Sequence, residues 1–153
     1  MIGFWDADLE VPLSEINDFI QIFNKNLNIK AVIASRVHLA GRLIERVHLR
    51  HYFGRLFATI VDLTFDIRVY DTQCGAKLFD SQILKAALEE PFFTNWIFDV
   101  ELIIRLTRML NNNWLLYELP VNEWRNVSGT KRSFSAYMTA FVDYLILVRK
   151  YLR

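Results

Sequence analysis

The chain has 153 residues, a length that favours one domain or one domain with a fragment of another. Its 18 Lys and Arg nearly balance 17 Asp and Glu, and a formal net charge of +1 argues against a nucleic-acid binder, which presents a clustered basic face. Apolar residues make up 53% of the chain, so disorder is excluded. A single cysteine, Cys74, excludes a disulfide framework. No segment reaches the roughly 18 apolar residues that a membrane span requires.

The first half of the sequence predicts strand, helix, strand and helix in that order. An apolar strand at 2–5 leads into the acidic turn 6–10, and Ser14 is the expected N-cap of a helix whose apolar face ends at Leu27. Residues 30–35 predict a buried strand. A basic stretch follows, and a second apolar helical stripe then runs from Phe53 to Thr64.

The second half continues the alternation. A turn at 72–75 precedes a short strand at 76–79, and Ser81 is the expected cap of a helix that Pro91 terminates. A helix is predicted through Leu110, then a strand at 114–121. A terminal amphipathic helix is expected at about 134–152. Strands alternating with helices predict a layered α/β fold.

Asp6 and Asp8 directly follow the first predicted strand. Residues i and i+2 at a strand end point to the same side, so both carboxylates could converge on one hard divalent cation. The carboxyl ends of strands are also where open α/β sheets bind ligands. By itself such a pair is a weak signal, because solvated loop acids give the same pattern.

Two further segments offer polar groups for a ligand. Asp71 and Gln73 lie in the turn before a strand and could hold sugar hydroxyls, although an ordinary Asx turn has the same composition. Asp99 and Glu101 lie at a predicted helix start, where the helix dipole keeps a carboxylate ionised as a base or hydroxyl acceptor needs. Helix starts are rich in acids for purely structural reasons as well.

Three basic residues are candidates for binding phosphate. Arg36 and Arg50 carry guanidinium forks that suit phosphate oxygens, and Lys131 supplies a point charge. The alternative for each is a solvated position on a basic face, which is the commoner fate of such side chains.

Five motifs in a fixed order resemble the family 2 glycosyltransferases that act on polyprenyl phosphates. The motifs are DADLEVP, ASR, DTQCGAKLF, FDVEL, and ELPVNEW followed by SGTK. The DTQCG form is similar to the dolichyl-phosphate β-glucosyltransferase branch, and the resemblance covers essentially all 153 residues.

The resemblance implies an α/β fold, the C-terminal part of a GT-A (Rossmann-like) domain, with a mixed sheet flanked by helices and residues 1–153 as one partial domain. It implies inverting transfer of a sugar, glucose first among the candidates, from a nucleoside-diphosphate sugar such as UDP-glucose to a polyprenyl or dolichyl phosphate, with Mg²⁺ or Mn²⁺. It also implies a peripheral position on the cytoplasmic face of a membrane.

The resemblance assigns roles residue by residue. Asp6 and Asp8 would bind the metal and the donor diphosphate, with Glu10 beside the metal. Asp71 and Gln73 would line the sugar pocket.

Asp99 would lie beside the reacting centre, with Glu101 as a substrate contact. The basic residues Arg36, Arg50 and Lys131 would bind the acceptor phosphate or the donor diphosphate. A phosphate monoester has a second pKa near 6, so the acceptor is largely ionised at neutral pH and hardly needs a base. Asp99 is therefore expected to orient the acceptor rather than to deprotonate it.

Family members carry a nucleotide-binding strand-helix-strand region before the paired acids, whereas here Asp6 lies at the start of the sequence. We therefore expect an exposed apolar sheet edge, weak donor binding, little or no activity of this chain alone, and a missing N-terminal half or a homo-oligomer as partner.

Two alternatives stay open. One is a non-catalytic module that binds a membrane surface or a partner through the basic, aromatic segment 36–57; the other is an enzyme of this family with a polysaccharide or protein acceptor.

Overall fold

The structure is a computed structural model that describes residues 1–45, 48–111, 115–127 and 134–152, without the side chains of residues 48–53 and 134. Its strands are β1 Ile2–Trp5, β2 Ala31–Ser35, β3 Leu43–Ile44, β4 Ala76–Phe79, β5 Leu116–Pro120 and β6 Glu123–Trp124. Its helices are α1 Ile16–Lys25, α2 His48–Phe65, α3 Ser81–Ala87, α4 Phe98–Leu110 and α5 Phe134–Tyr151, with a 3₁₀ turn at Leu13–Glu15.

Four strands form the main sheet in the order β1-β4-β2-β5. β4 runs antiparallel to both of its neighbours, while β2 and β5 are parallel. A second, two-stranded parallel sheet joins β3 and β6. The predicted mixed sheet flanked by helices is therefore confirmed. Because β4 runs against β1 and β2, the residues before β4 and those after β1 and β2 meet at one edge of the sheet.

The sheet buries both faces, because successive side chains of a strand point in opposite directions. One face packs on α1, and its buried residues include Phe19, Val32, Ala34, Ala76 and Leu78. The other face packs on α3, α4 and the long helices, and its buried residues include Ile33, Phe79, Leu84, Ile103, Leu106 and Leu147. In β2 and β4 this double burial leaves every residue buried, including Ser35 and Lys77.

Two predicted helix caps and one predicted core residue are wrong. Ser14 lies inside the 3₁₀ turn, and Pro12 precedes that turn with no side-chain cap. Asp80 caps α3, since its carboxylate accepts from the backbone N–H groups of Gln82 and Ile83 at 2.9 and 3.3 Å. Leu27 is 85% exposed because α1 ends at Lys25 and leaves it beyond the last turn.

β1 forms an edge of the main sheet, and Met1 and Ile2 are exposed there. Among the described residues, no helix combines the length and the apolar character needed to cross a bilayer.

Gly3 is a site where one methyl group should disrupt the sheet. A Cβ on Gly3 would lie 2.4 Å from the carbonyl oxygen of Lys77, a backbone atom held in the β1–β4 pairing. We expect Gly3→Ala to lower the free energy of unfolding by about 1–3 kcal/mol, the usual cost of overpacking. Urea titration followed by circular dichroism measures this.

Gly54→Ala is the matched control, because a Cβ there meets nothing within 4 Å and the residue lies in α2. Alanine in a helix is expected to raise stability by about 0.5–1 kcal/mol. Equal effects of the two substitutions would contradict the close approach of β1 and β4.

Candidate active site

The edge where β1 ends and β4 begins brings Asp6 against Gly75. The Asp6 N–H donates to the Gly75 carbonyl at 2.8 Å and extends the strand pairing by one step. A Cβ on Gly75 would lie 1.9 Å from Oδ2 of Asp6. Glycine at this position therefore makes room for the Asp6 carboxylate, which the sequence pattern alone did not indicate.

Arg36, directly after β2, binds Asp71 with its guanidinium fork. Nε and one terminal nitrogen donate to the two carboxylate oxygens at 2.7 and 2.8 Å, and the Arg36 backbone N–H donates at 3.0 Å. The guanidinium also lies 5.7 Å from the centre of the Trp124 ring. Arg36 and Asp71 are thus first of all each other's partners, a pairing that the sequence did not predict.

This ion pair sets the protonation state of Asp71. Burial alone would raise the pKa of Asp71, but the adjacent Arg36 charge and its hydrogen bonds outweigh burial and hold the pKa below its usual value. The same carboxylate helps to raise the pKa of Arg36 against the opposing effect of burial. Both groups therefore stay charged at neutral pH.

Glu118, in β5, fixes the backbone that carries Asp71. Its two carboxylate oxygens accept from the N–H groups of Tyr70 and Asp71, both at 2.8 Å. Burial raises the pKa of Glu118. The sequence reading missed this residue, and the only available signal was one acid in an otherwise apolar strand.

Lys77 is a second residue that the sequence reading missed. It is 0% exposed, and its ammonium lies 3.3 Å from Oδ2 of Asp99, 2.6 Å from the carbonyl of Cys74 and 5.1 Å from the centre of the Phe4 ring. A charged lysine is seldom buried this deeply unless it is paired. Lys77 therefore serves as the internal counter-ion of Asp99.

Asp99 occupies the first turn of α4 and has an unusual environment. Burial raises its pKa, Lys77 opposes that rise, and the nearby Asp6 and Asp71 carboxylates add to it. Within the described part of the chain, its Oδ1 is buried without a hydrogen-bond partner. The structure thus brings the predicted residues Asp6, Asp71 and Asp99 into one electrostatic cluster around Lys77.

Asp8 and Glu10 take different positions in the acidic turn. Oδ1 of Asp8 accepts from the Glu10 N–H at 3.3 Å, and Glu10 is buried, where its charge helps to raise the pKa of Arg36. Across residues 1–45, 48–111, 115–127 and 134–152, no three acidic, His or Cys side chains are grouped to hold a metal. The donor set still suits Mg²⁺, which proteins bind through one or two carboxylates with substrate phosphates completing the shell. The predicted ligand set of Asp6, Asp8 and Glu10 stays a prediction.

An apolar groove of about 270 Å³ lies between α2 and α5. Its lining also includes Gln73, from the turn that carries Asp71, and Trp96, three residues before Asp99. The groove is therefore lined in part by the two segments that carry Asp71 and Asp99. Its apolar lining residues include Leu56, Phe57, Ile60, Ala140, Phe141 and Tyr144.

Three curated proteins of the same name are similar to this chain over most of its length. A dolichyl-phosphate β-glucosyltransferase of Saccharomyces cerevisiae is 28% identical over 158 residues, covering 95% of this chain and 46% of that protein. One from Trichomonas vaginalis is 30% identical over 124 residues, covering 80% and 35%. One from Dictyostelium discoideum is 30% identical over 131 residues, covering 82% and 38%.

The chain is a relative of the dolichyl-phosphate β-glucosyltransferases. The resemblance read from the five ordered motifs is therefore confirmed. The chain spans less than half the length of these three curated glucosyltransferases. No protein-family model matches it, and no solved structure shows significant similarity.

Glu101 lies apart from the cluster in this glucosyltransferase relative. Its fully buried carboxylate accepts from the N–H groups of Phe93 and Thr94, from the Thr94 hydroxyl, and from Arg105 at 2.7 Å. The structure thus gives the Glu101 carboxylate partners inside the protein, on the loop before α4, in α4 and, through the Tyr151 hydroxyl, in α5. It does not bring Glu101 to the position of a substrate contact.

The structure does not describe the side chains of the other two predicted phosphate-binding residues of this glucosyltransferase relative. Lys131 is not among the described residues, and the side chain of Arg50 is not described although its backbone belongs to α2. Their predicted roles remain predictions.

Proposed function

We propose that this chain forms the acceptor-binding part of a glycosyltransferase that moves glucose from a nucleotide sugar, UDP-glucose, to a polyprenyl or dolichyl phosphate. One observation carries the proposal. The apolar groove is lined by Gln73 and Trp96, which belong to the segments that carry Asp71 and Asp99 of the charged cluster. The groove suits an apolar tail. Because the cluster has three carboxylates against the one ammonium of Lys77, an anionic head would bind there through a divalent cation held by carboxylates.

The groove suits the isoprenoid tail. Its lining is aliphatic and aromatic apart from a few polar atoms, and it runs along α2 and α5. Burial of apolar surface supplies binding energy in proportion to area without requiring a fixed geometry. The phosphate would then lie near Gln73 and Trp96, the lining residues that belong to the segments carrying Asp71 and Asp99.

The chemistry requires charge control more than proton transfer. An oxygen of the acceptor phosphate forms the new bond to the anomeric carbon, and the bond to the donor diphosphate breaks with its electron pair. Asp6 and Asp8 would hold Mg²⁺ or Mn²⁺, which supplies positive charge to the departing diphosphate. Asp99, held by Lys77, would orient the acceptor through its unpaired oxygen.

A membrane surface is the proposed setting. Apolar side chains of α2 and α5 are exposed, both in the groove, as for Leu56 and Phe141, and elsewhere, including Leu63, Met138, Val142 and Leu145. Arg149 and Lys150 lie in the last turn of α5, where they can meet anionic headgroups. The same surface supports the second candidate, a non-catalytic membrane-binding module.

A chimera tests the proposal. The chain replaces the segment of the Saccharomyces cerevisiae glucosyltransferase that aligns with it, 46% of that protein, and transfer of radiolabelled glucose from UDP-glucose to dolichyl phosphate is measured. We expect transfer by the chimera and at least tenfold less by its Asp99→Asn version. A folded chimera that binds vesicles but transfers nothing would favour the non-catalytic module.

Gly54→Phe provides a separate test of the groove. Gly54 lines the groove, and nothing lies within 4 Å of where its Cβ would be, so a larger side chain enters the groove without displacing protein atoms close to the backbone. We expect the substitution to weaken farnesyl phosphate binding at least tenfold in isothermal titration calorimetry. Gly54→Ala should bind like the wild type, and equal binding by all three chains would contradict the assignment of the groove.

A further inference from the structure

Asp143 is the only acid in the sequence of α5 and lies almost fully buried among apolar neighbours. Its Oδ2 accepts from three consecutive backbone N–H groups, those of Asn95, Trp96 and Ile97, at 3.2, 2.8 and 3.3 Å. Ile97 is the N-cap residue of α4, and its side chain makes no capping hydrogen bond. A carboxylate from α5 therefore holds the backbone of the loop that leads into α4.

The three residues held by Asp143 connect the groove to the charged cluster. Trp96 lines the groove, and Asp99 follows two residues after Ile97 in the first turn of α4. α5 itself supplies groove lining through Ala140, Phe141 and Tyr144. Asp143 thus connects α5, which lines the groove, to the residues directly before the α4 turn that carries Asp99.

A second carboxylate also holds this loop. Glu101, in α4, accepts from the N–H groups of Phe93 and Thr94 and from the hydroxyl of Tyr151 in α5, the last at 3.3 Å. The Lys150 ammonium of α5 lies 4.2 Å from the centre of the Phe93 ring. Asp143 differs in holding residues 95–97, which lead directly into α4. Hydrogen bonds to an ionised carboxylate are stronger than those between neutral groups. The Asp143 contact can therefore hold α5 and residues 95–97 in a fixed relative position.

We propose that Asp143 is a positioning residue that couples occupancy of the groove to the placement of Asp99. An isoprenoid chain in the groove contacts α5 and Trp96 together and so restricts the motion of both. Through its hydrogen bonds, the Asp143 carboxylate of α5 then also restricts the backbone of residues 95–97. Asp99 is thereby fixed when the acceptor tail is in place. The coupling rests on the proposed function, whereas the contact itself does not.

Hydrogen exchange of backbone amides in the full chain, with and without farnesyl phosphate, tests the coupling. Asp143→Asn removes the charge while keeping the shape. We expect amides of residues 95–97 to exchange at least tenfold faster in this variant, while those of Phe93 and Thr94, held by Glu101, are unchanged. Farnesyl phosphate should slow exchange at 95–97 in the wild type and leave it unaltered in the variant, with affinities within threefold.

Equal protection by farnesyl phosphate in both chains would overturn the coupling, as would equal exchange rates without it. If farnesyl phosphate binds neither chain, the groove assignment in the proposed function fails and the coupling with it, while the exchange difference without ligand still reports the contact. Asp143→Glu moves the charge by one methylene and should give intermediate exchange and an intermediate response. That variant decides the question if Asp143→Asn does not fold, since unaltered exchange in it would overturn the proposal.

Discussion

Replacing Lys77 with methionine is expected to lower the free energy of unfolding by about 3–5 kcal/mol, the usual cost of removing one partner of a buried ion pair. Lys77 is fully buried and Asp99 has a side-chain exposure of 15%, so the substitution leaves a carboxylate in a low-dielectric site without its counter-ion. The Cys74 carbonyl loses a donor as well. Since domains are stable by about 5–15 kcal/mol, much of the folded population would be lost. Urea unfolding at pH 7 measures the effect.

Lys30→Met is the matched control. Lys30 and Asp80 are separated by the same 3.3 Å, but their side chains are 33% and 30% exposed. Exposed pairs contribute about 0–1 kcal/mol, so this substitution should have a small effect. Similar losses for the two lysines would show that burial of Lys77 is not the cause.

The Lys77→Met deficit should shrink as the pH falls. Burial raises the pKa of Asp99 in the folded protein even with Lys77 present, and loss of the lysine raises it further. A carboxyl with a raised folded pKa binds its proton more tightly in the folded state, so acidification through that pKa favours folding. The double variant Lys77→Met/Asp99→Asn should be more stable at pH 7 than Lys77→Met alone. A deficit that does not change with pH would contradict this account.

Replacing Arg36 with methionine should have a comparable effect, a loss of about 3–5 kcal/mol, because Asp71 is largely buried and both its oxygens accept from the Arg36 fork. The folded pKa of Asp71 is depressed, so the pair contributes stability above the unfolded pKa and loses it as the pH falls through the folded value. The difference between wild type and variant should therefore be largest at neutral pH and smaller in acid. Unfolding free energies from pH 7 to pH 3 measure it.

Two controls define the geometry of this pair. Arg36→Lys keeps the charge but loses the fork, and an intermediate loss is expected. Arg68→Met removes an ion pair to Asp66 whose side chains are 64% and 75% exposed, and stability should not change measurably. If Arg36→Met unfolds like the wild type, the ion pair between Arg36 and Asp71 does not stabilise the fold.

The sequence predicted the strands at the site well because their signals are local. Short segments bounded by polar turns located β1 and β4 with the bounds that the structure has, although β4 contains Lys77, and the position of Asp6 directly after a strand followed from them. The order of five short motifs predicted the kinship that the curated relatives confirm. The helix caps were missed because two neighbouring residues could each precede the first turn, Pro12 or Ser14 in one case and Asp80 or Ser81 in the other. Only the path of the backbone decides which of them is the N-cap residue.

The interactions that organise the site were decided by tertiary structure. Arg36 and Asp71 are 35 residues apart, Glu118 and Asp71 are 47 apart, and Asp143 and Trp96 are 47 apart. A charged side chain looks the same in sequence whether water or a buried N–H group is its partner, so local pattern alone cannot distinguish the two. The sequence by itself thus located the four strands of the main sheet, but not β3 and β6, and indicated the similarity to the dolichyl-phosphate β-glucosyltransferases and the candidate acids. Only the folded sheet, which brings the ends of β1 and β2 to the start of β4, determined that Lys77 pairs with Asp99 and Arg36 with Asp71.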